Sequence, residues 1–566
     1  MHLIPSVKVL EIKNGALKKN AICYEAGTYE ARLELALQKL PYDAQGAKFD
    51  IHITGGDGEG YELRIQEDSI CIDAQSERAA FYAIQTLRQI FKHGEIPCLY
   101  IKDEPSFAYR GFYHDVTRGK VPTVETIKKL IDELAYYKTN SFQLYIEHTF
   151  EFDECKELIH KTGYLTKEEI KEIGEYCEQN YMEFIPSIAT FGHMYEILQQ
   201  EQYQHLRVLK DYEEQPNFWW ERMEHHTIDP LNPDSIKLIK SLIDQYYPLF
   251  KSDIFNICCD ETFDLKVYEK DGYDAGQLYV DFVKQIIAHL KQNGKQIMMW
   301  ADILLQHPET ITELPEDTIF LNWDYTTEPS EEKIMKFKEL GRKQIVCPGT
   351  VTWSRMCEDV QTSEPNIIRM VEYGYKHGAV GVLNTSWGDC GNPCSLELGM
   401  FGLALGAEKS WSAESKIDHN FYNAVNALVY ESDKGVELIT ELSAMQNKID
   451  VLKFWQQCFD YQSGNKQDIC PISKQDVEII QEKCAEIMKA LAREKSLRED
   501  IREEMFVTAE GIVLWAELSA KMSGFSIDRL TNAERWLPKY RKLWIDKNKE
   551  NELGNIENLL LYCEQN

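Results

Sequence analysis

The sequence predicts an α/β protein centred on a (β/α)8 TIM barrel, with a small N-terminal α/β domain and an α-helical C-terminal domain. Three observations predict it. From about residue 105 to 412, eight short apolar runs alternate with amphipathic helical segments, the pattern of repeated βα units. One run, Phe255-Asn256-Ile257-Cys258-Cys259, ends abruptly in the adjacent carboxylates Asp260 and Glu261, and strand carboxyl ends are where a parallel barrel carries its chemistry. Beyond about residue 413 strand signals stop and charge-rich helical periods replace them.

Residues 1–104 read as a support domain. Phe49 to Thr54 alternates and runs into Gly55-Gly56, Tyr61–Ile65 and Ser69–Ile72 follow as strands, and Ser76 to Lys92 has apolar residues at helical spacing. Residues 105–412 carry the barrel, with strands beginning near Arg110, Ser141, Glu183, Ile254, Gln296, Thr318, Gln344 and Ala379. Thr123 to Lys138 and Thr166 to Asn180 are its clearest helices, the second opening with a capping box from Thr166 to Glu169. Residues 413–566 form the helical domain, with helices expected over Leu438–Phe459, Lys474–Leu497, Phe506–Met522 and Trp536–Trp544. That domain packs on the barrel or supplies a homodimer surface.

Composition excludes some functions. A formal charge of −31 argues against nucleic acid or an anionic membrane as partner, because phosphates call for clustered Lys and Arg. The start, Met1 to Lys8, lacks the apolar core of a signal peptide, and no apolar run is long enough to span a bilayer. The 15 cysteines are scattered without CxxC spacing, so neither a disulfide framework nor a zinc site is expected, and a reducing cytoplasmic compartment fits. Glu224-His225-His226 lacks the i, i+4 spacing of a helical metal site and reads as loop; no metal and no organic cofactor are expected. Gly55-Gly56-Asp57-Gly58 reads as a hairpin turn rather than a phosphate loop.

A barrel gathers strand-end residues on one rim. Arg110 and Asp115 lie around the first strand, Glu147-His148 after the second, His193 after the third, and Asp260-Glu261 at the fourth. Trp300 and Asp302, Trp323 and Tyr325, Trp353, and Trp387 with Asp389 follow. One such tryptophan is ordinary packing. Several at equivalent places, facing carboxylates, make aromatic walls suited to the apolar faces of a sugar ring.

The segments Tyr61–Ile65, Gln85–Gln89, Arg110-Gly111-Phe112, Pro186 through Gly192-His193, and Asn256–Glu261 together resemble the β-N-acetylhexosaminidases of glycoside hydrolase family 20. The resemblance runs from the N-terminal domain to about residue 412, and the helical tail is more weakly similar to the third domain of one bacterial branch. It implies an exo-acting enzyme on terminal β-linked N-acetylhexosamine with a retaining, substrate-assisted mechanism, an exception to the two-carboxylate scheme. On that resemblance Glu261 is the general acid and base, expected to titrate above an ordinary glutamate, and Asp260 orients and stabilises the acetamido group. Arg110 binds ring hydroxyls, His193 sits near the carboxylates, and Trp300, Trp323 and Trp387 wall the acetamido pocket. Asp389 stands where the family commonly has a glutamate, and Glu147 matches an acid after the second strand.

Departures from the family pattern are Cys258 and Cys259 where small glycines are usual, and Tyr325 as the candidate for the contact to the acetamido carbonyl. Glu397 reads as structural. Two other functions remain open: a two-carboxylate retaining glycosidase on the same barrel, and a non-catalytic carbohydrate-binding protein. Because adjacent strand residues point to opposite faces, both carboxyls reach one pocket only if the strand ends there; Asp260 is expected at its last position and Glu261 beyond it.

Overall fold

In the computed structural model, residues 1–158, 163–210, 218–223, 226–465, 469–550 and 552–566 are described. The N-terminal domain is one sheet of β1 (Val9–Ala16), β2 (Ile22–Cys23), β3 (Ala47–Ile53), β4 (Tyr61–Ile65), β5 (Ser69–Ala74) and β6 (Pro97–Asp103), in the order β1-β6-β4-β5-β3-β2. Alternation sorts its faces. Tyr61, Leu63, Ile65, Ile70, Ile72 and Ala74 are buried and share the domain's core with the apolar face of helix Glu77–Ile90. Ser76 caps that helix by accepting the Ala79 N–H. The alternate residues of β4 and β5, among them Glu62, Arg64, Cys71 and Asp73, occupy the other, more open face. Strands β1, β2 and β6 have no counterpart in the sequence expectation. β1 is exposed along nearly its whole length, so it carries no alternating apolar pattern to read.

The barrel strands are β7 (Tyr109–Asp115), β8 (Ser141–Tyr145), β9 (Glu183–Phe184), β10 (Ile254–Asn256), β11 (Gln296–Trp300), β12 (Ile319–Trp323), β13 (Lys343–Cys347) and β14 (Gly381–Ser386). All eight run parallel in the order β10-β11-β12-β13-β14-β7-β8-β9, each within a few residues of its expected position. The ring closes just past β9, where Ser187 bridges Asn256 and the Asn256 N–H donates to the Pro186 carbonyl at 2.9 Å. The barrel interior is a separate apolar cluster of Tyr113, Tyr145, Ile185, Cys258, Met298, Trp300, Ile319, Leu321, Ile345, Cys347 and Leu383. Their neighbours Phe112, Leu144, Met299, Phe320, Val346 and Val382 face outward into the larger core under the helices. Inside the barrel Gln143 accepts from Asn256 and donates to the Tyr109 hydroxyl.

A buried polar knot joins the N-terminal domain to the start of the barrel. Lys138 donates to Asp103 at 3.0 Å and to the Tyr61 hydroxyl, and the Trp411 indole N–H donates to the same aspartate. Arg110, at the opening of β7, pairs with Glu59 at 2.6 Å and also donates to the carbonyls of Phe107 and Lys138 and to the Tyr82 hydroxyl.

The C-terminal helices surround Glu499–Met522, which is buried over most of its circumference. The helix expected over Leu438–Phe459 is two, Gly435–Gln446 and Val451–Gln462, because Asp450 caps a new start by accepting the Lys453 N–H. Helices His419–Val425 and Leu553–Gln565 are additional to the sequence expectation. This domain braces barrel loops: Trp455 donates to the Ser354 carbonyl at 2.9 Å, and Ser443 accepts the Val360 N–H. Among the described residues no helix is long and apolar enough to cross a membrane. None of the fifteen cysteines is joined in a disulfide.

Candidate active site

A pocket of about 280 Å³ opens at the carboxyl ends of the barrel strands. Its lining comes from seven strand ends and their loops: Arg118 after β7, His193 after β9, Asp260 and Glu261 after β10, and Trp300 ending β11. Trp323 ends β12 with Tyr325 beyond it, Trp353 follows β13, and Trp387 and Asp389 follow β14. Pockets for drug-sized ligands start near ~300 Å³, so this one is sized for about one sugar ring.

The acid pair reaches the pocket through an unusual backbone. β10 stops at Asn256, four residues before Asp260, so Asp260 is not the last strand residue as expected. Cys258, Cys259 and Glu261 adopt left-handed φ values of 54°, 65° and 52°, each costing an L-residue about 1–2 kcal/mol. Such strain persists where surrounding contacts over-determine it, and it concentrates at functional sites. Here Tyr279 donates to the Cys259 carbonyl at 2.8 Å, and Asp302 accepts the Glu261 N–H at 2.9 Å. Gly192 supplies the clearance: a Cβ there would lie 2.3 Å from the Asp260 carbonyl oxygen. The sulfurs diverge, Cys258 lying near the Ser187 and Tyr113 hydroxyls and Cys259 near Thr190.

His193 ties the carboxylates together. Its Nε2 lies 3.3 Å from Asp260 Oδ2 and 3.2 Å from Glu261 Oε2, and its Nδ1 lies 3.9 Å from Glu147. Burial opposes a charged imidazole, but the Asp260 and Glu261 carboxylates more than compensate and lift its pKa to about 10. These three residues could present donors to a metal, their ligand atoms lying within 4.8 Å of one another, although an imidazolium at neutral pH disfavours a cation there.

Arg118 anchors the other side. Asp115 accepts the N–H groups of Thr117 and Arg118 and the Arg118 Nη1, which fixes the guanidinium within the pocket wall. Glu147 lies 3.4 Å and Asp389 4.0 Å from the same group. Burial raises the Glu147 pKa despite Arg118, and it lifts Asp389 to about 6 against the same cation. Burial, then the neighbouring Asp260 charge, holds Asp302 well above the usual carboxylate range.

The aromatic residues form a continuous wall. Trp323 stacks on Tyr325 at 5.2 Å, Tyr325 contacts Trp353, and Trp300 lies 5.9 Å from Trp387. The Trp387 indole N–H donates to the Tyr325 hydroxyl at 2.8 Å, which locks both rings.

The glycosyl hydrolase family 20 catalytic-domain profile matches residues 107–391, and the profile of the family's domain 2 matches residues 3–104. The chain belongs to glycosyl hydrolase family 20. A β-hexosaminidase of Porphyromonas gingivalis is 29% identical over 283 residues, covering 44% of this chain and 36% of that protein. A β-hexosaminidase of Vibrio furnissii is 24% identical over 398 residues, 61% of each. The chain thus spans 36% and 61% of the lengths of these two curated relatives. Among solved structures, a Flavobacterium johnsoniae chitobiase covers 98% of this chain and 99% of its own at a TM-score of 0.62 and 18% identity. A family 20 exo-β-N-acetylglucosaminidase of Vibrio harveyi covers 75% of each chain at 0.58 and 20% identity. At those identities the likeness is one of fold.

For this family 20 chain, the structure corrects the expectation for Arg110. It is the second residue of β7, at the amino end of the strand, 1% exposed and committed to Glu59 and four neighbouring groups. It stabilises the domain junction and is remote from the pocket; the arginine in the pocket is Arg118, which the sequence reading missed. The signal was available, since Arg118 follows the carboxyl end of β7 while Arg110 opens it. Glu147 stands behind His193 rather than lining the pocket. Asp115 and Asp302 act on the site through Arg118 and the Glu261 backbone. Glu397 pairs with Lys547 of the helical domain at 2.8 Å. Glu224 and His225 lie outside the described residues.

Proposed function

We propose that this chain is an exo-acting β-N-acetylhexosaminidase that hydrolyses terminal β-linked GlcNAc or GalNAc with retention, using the substrate's own acetamido oxygen as nucleophile. The observation that carries it is the placement of Asp260 and Glu261, with His193 between them, in one ring-sized pocket with tryptophan walls. Glu261 donates its proton to the leaving oxygen and later takes one from water. Asp260 accepts the acetamido N–H and balances the positive charge of the oxazolinium intermediate. His193, 3.3 Å from Asp260 and 3.2 Å from Glu261, holds the two carboxyl groups in one pocket both when Glu261 carries its proton and when it has given it up.

Trp300, Trp323 and Trp387 fold the acetamido group beneath the anomeric carbon, a near-attack arrangement that also excludes competing water. Tyr325, whose hydroxyl accepts the Trp387 N–H, donates to the acetamido carbonyl. Arg118 and Asp389 read the sugar's outer hydroxyls, a task suited to a guanidinium and a carboxylate. No cofactor enters this scheme.

The test is turnover of chromogenic N-acetylglucosaminide, N-acetylgalactosaminide and plain β-glucoside, with an oxazoline-mimicking thiazoline as inhibitor. Substrate assistance requires near-total loss of turnover without the acetamido group and competitive thiazoline inhibition. Comparable turnover of the plain glucoside would favour the two-carboxylate mechanism. Glu261→Gln should lose turnover of an unactivated substrate; wild-type turnover would remove it from the acid's role.

A further inference from the structure

We propose that His52, Cys71 and Asp73 form a binding site for a zinc-class divalent cation on the open face of the N-terminal sheet. The three side chains come from adjacent parallel strands. His52 of β3 pairs in register with Asp73 of β5, and Cys71, two residues before Asp73, shares its face. His52 Nδ1 lies 3.1 Å from Asp73 Oδ1 and 3.7 Å from Cys71 Sγ. A tetrahedral Zn²⁺ with bonds of about 2.0–2.3 Å holds its ligand atoms roughly 3.3–3.6 Å apart. Two edges of that tetrahedron are therefore in place, and all three donor atoms lie within 4.8 Å of one another.

The backbone does most of the organising. A paired sheet fixes all three Cα positions, so binding needs only side-chain rotation. Arg64 holds Asp73 through its other oxygen, Oδ2, which leaves Oδ1 for the metal and orients the carboxylate in the way outer-shell partners do. Glu62 in turn pairs with Arg64 and moderates its charge beside a cation.

The donor set selects the metal class. One thiolate, one imidazole and one carboxylate suit zinc and its borderline neighbours, whereas magnesium and calcium call for oxygen alone. Binding replaces the Cys71 thiol proton with the metal and releases that proton to solvent. The His52 side chain is 66% exposed and that of Asp73 33%, so the metal can enter directly from solvent, and water completes the coordination.

The experiment titrates the full chain, in reducing buffer, with Co²⁺ as spectroscopic probe. The site predicts a thiolate-to-cobalt charge-transfer band that saturates near about one equivalent and is displaced by Zn²⁺. Cys71→Ser should abolish the band, and His52→Ala, which removes a direct ligand, should weaken binding by more than the roughly tenfold that losing an outer-shell partner costs. The His193, Asp260 and Glu261 cluster contains no thiol and contributes no such band. Absence of the band in the wild-type protein, its survival in Cys71→Ser, or unchanged affinity in His52→Ala would each overturn the site.

Discussion

Two arginines eight residues apart in sequence should fail differently when replaced by methionine, which keeps bulk and removes charge: the first in stability alone, the second in activity as well as stability. At position 110 the guanidinium makes its ion pair to Glu59 and bonds to three carbonyls and a tyrosine hydroxyl, almost wholly out of water. Removing one partner of a buried pair costs about 3–5 kcal/mol. Glu59 retains Arg78 at 3.6 Å and its side chain is 12% exposed, which places Arg110→Met at the lower end, about 3 kcal/mol. Spread over a cooperative unit of roughly 400 residues, at about 2.1 cal/mol/K per residue, that lowers Tm by about 4 °C. The folded Arg110→Met enzyme should keep kcat/KM within about threefold of wild type, since nothing in the pocket changes. If Arg118 gives the sugar the two charge-assisted hydrogen bonds proposed for it, about 1.5–3 kcal/mol each, Arg118→Met should lower kcat/KM by roughly 10²–10⁴-fold. Thermal unfolding and initial rates on a chromogenic N-acetylhexosaminide at 25 °C measure both. Arg110→Met with unchanged Tm and a hundredfold loss of kcat/KM would refute the reasoning, as would wild-type kcat/KM in Arg118→Met.

Other perturbations test how the site is built. Gly192→Ala places a Cβ against the Asp260 carbonyl, so the β10 loop must shift; kcat should fall by at least about tenfold, as small misplacements do, with less change in KM. The pKa of His193 rises from 6.5 to about 10 on folding, so its stabilising contribution is complete below pH 6.5 and is lost as pH rises through about 10. Wild-type stability in denaturant should decline across that window, and His193→Gln should flatten the decline; an unaltered slope would contradict the ion-pair geometry. Trp455→Phe removes the bond to the Ser354 carbonyl beside Trp353 and should raise KM more than it lowers kcat, because the wall loosens while the acid pair stays in place.

The site was partly legible in the sequence, and the reasons differ by residue. Trp300 and Trp323 end regular strands, so their position at a strand's carboxyl end was enough to place them on the rim. Asp260 and Glu261 were legible as an acid pair after an apolar run, but the route to the pocket was not. That route depends on left-handed Cys258, Cys259 and Glu261, and a cysteine pair carries no propensity signal for such a backbone. Arg110 misled because the motif similarity was read without strand polarity, which assigns an opening residue to the far end of the barrel.

What the sequence determined by itself was local: strand and helix periods, the helix starts at Ser76 and Thr166, and the order of polar residues along the chain. These are properties of neighbouring residues, and eight βα periods suffice to imply a closed barrel. What tertiary structure decided was every relation between distant segments. It chose Arg118 over Arg110, lifted His193 by bringing two carboxylates onto one imidazole, and set His52 beside Cys71 and Asp73 across a strand pair. Burial and Coulomb forces depend on distances between side chains, and the fold sets those distances across separations in sequence over which no local pattern persists.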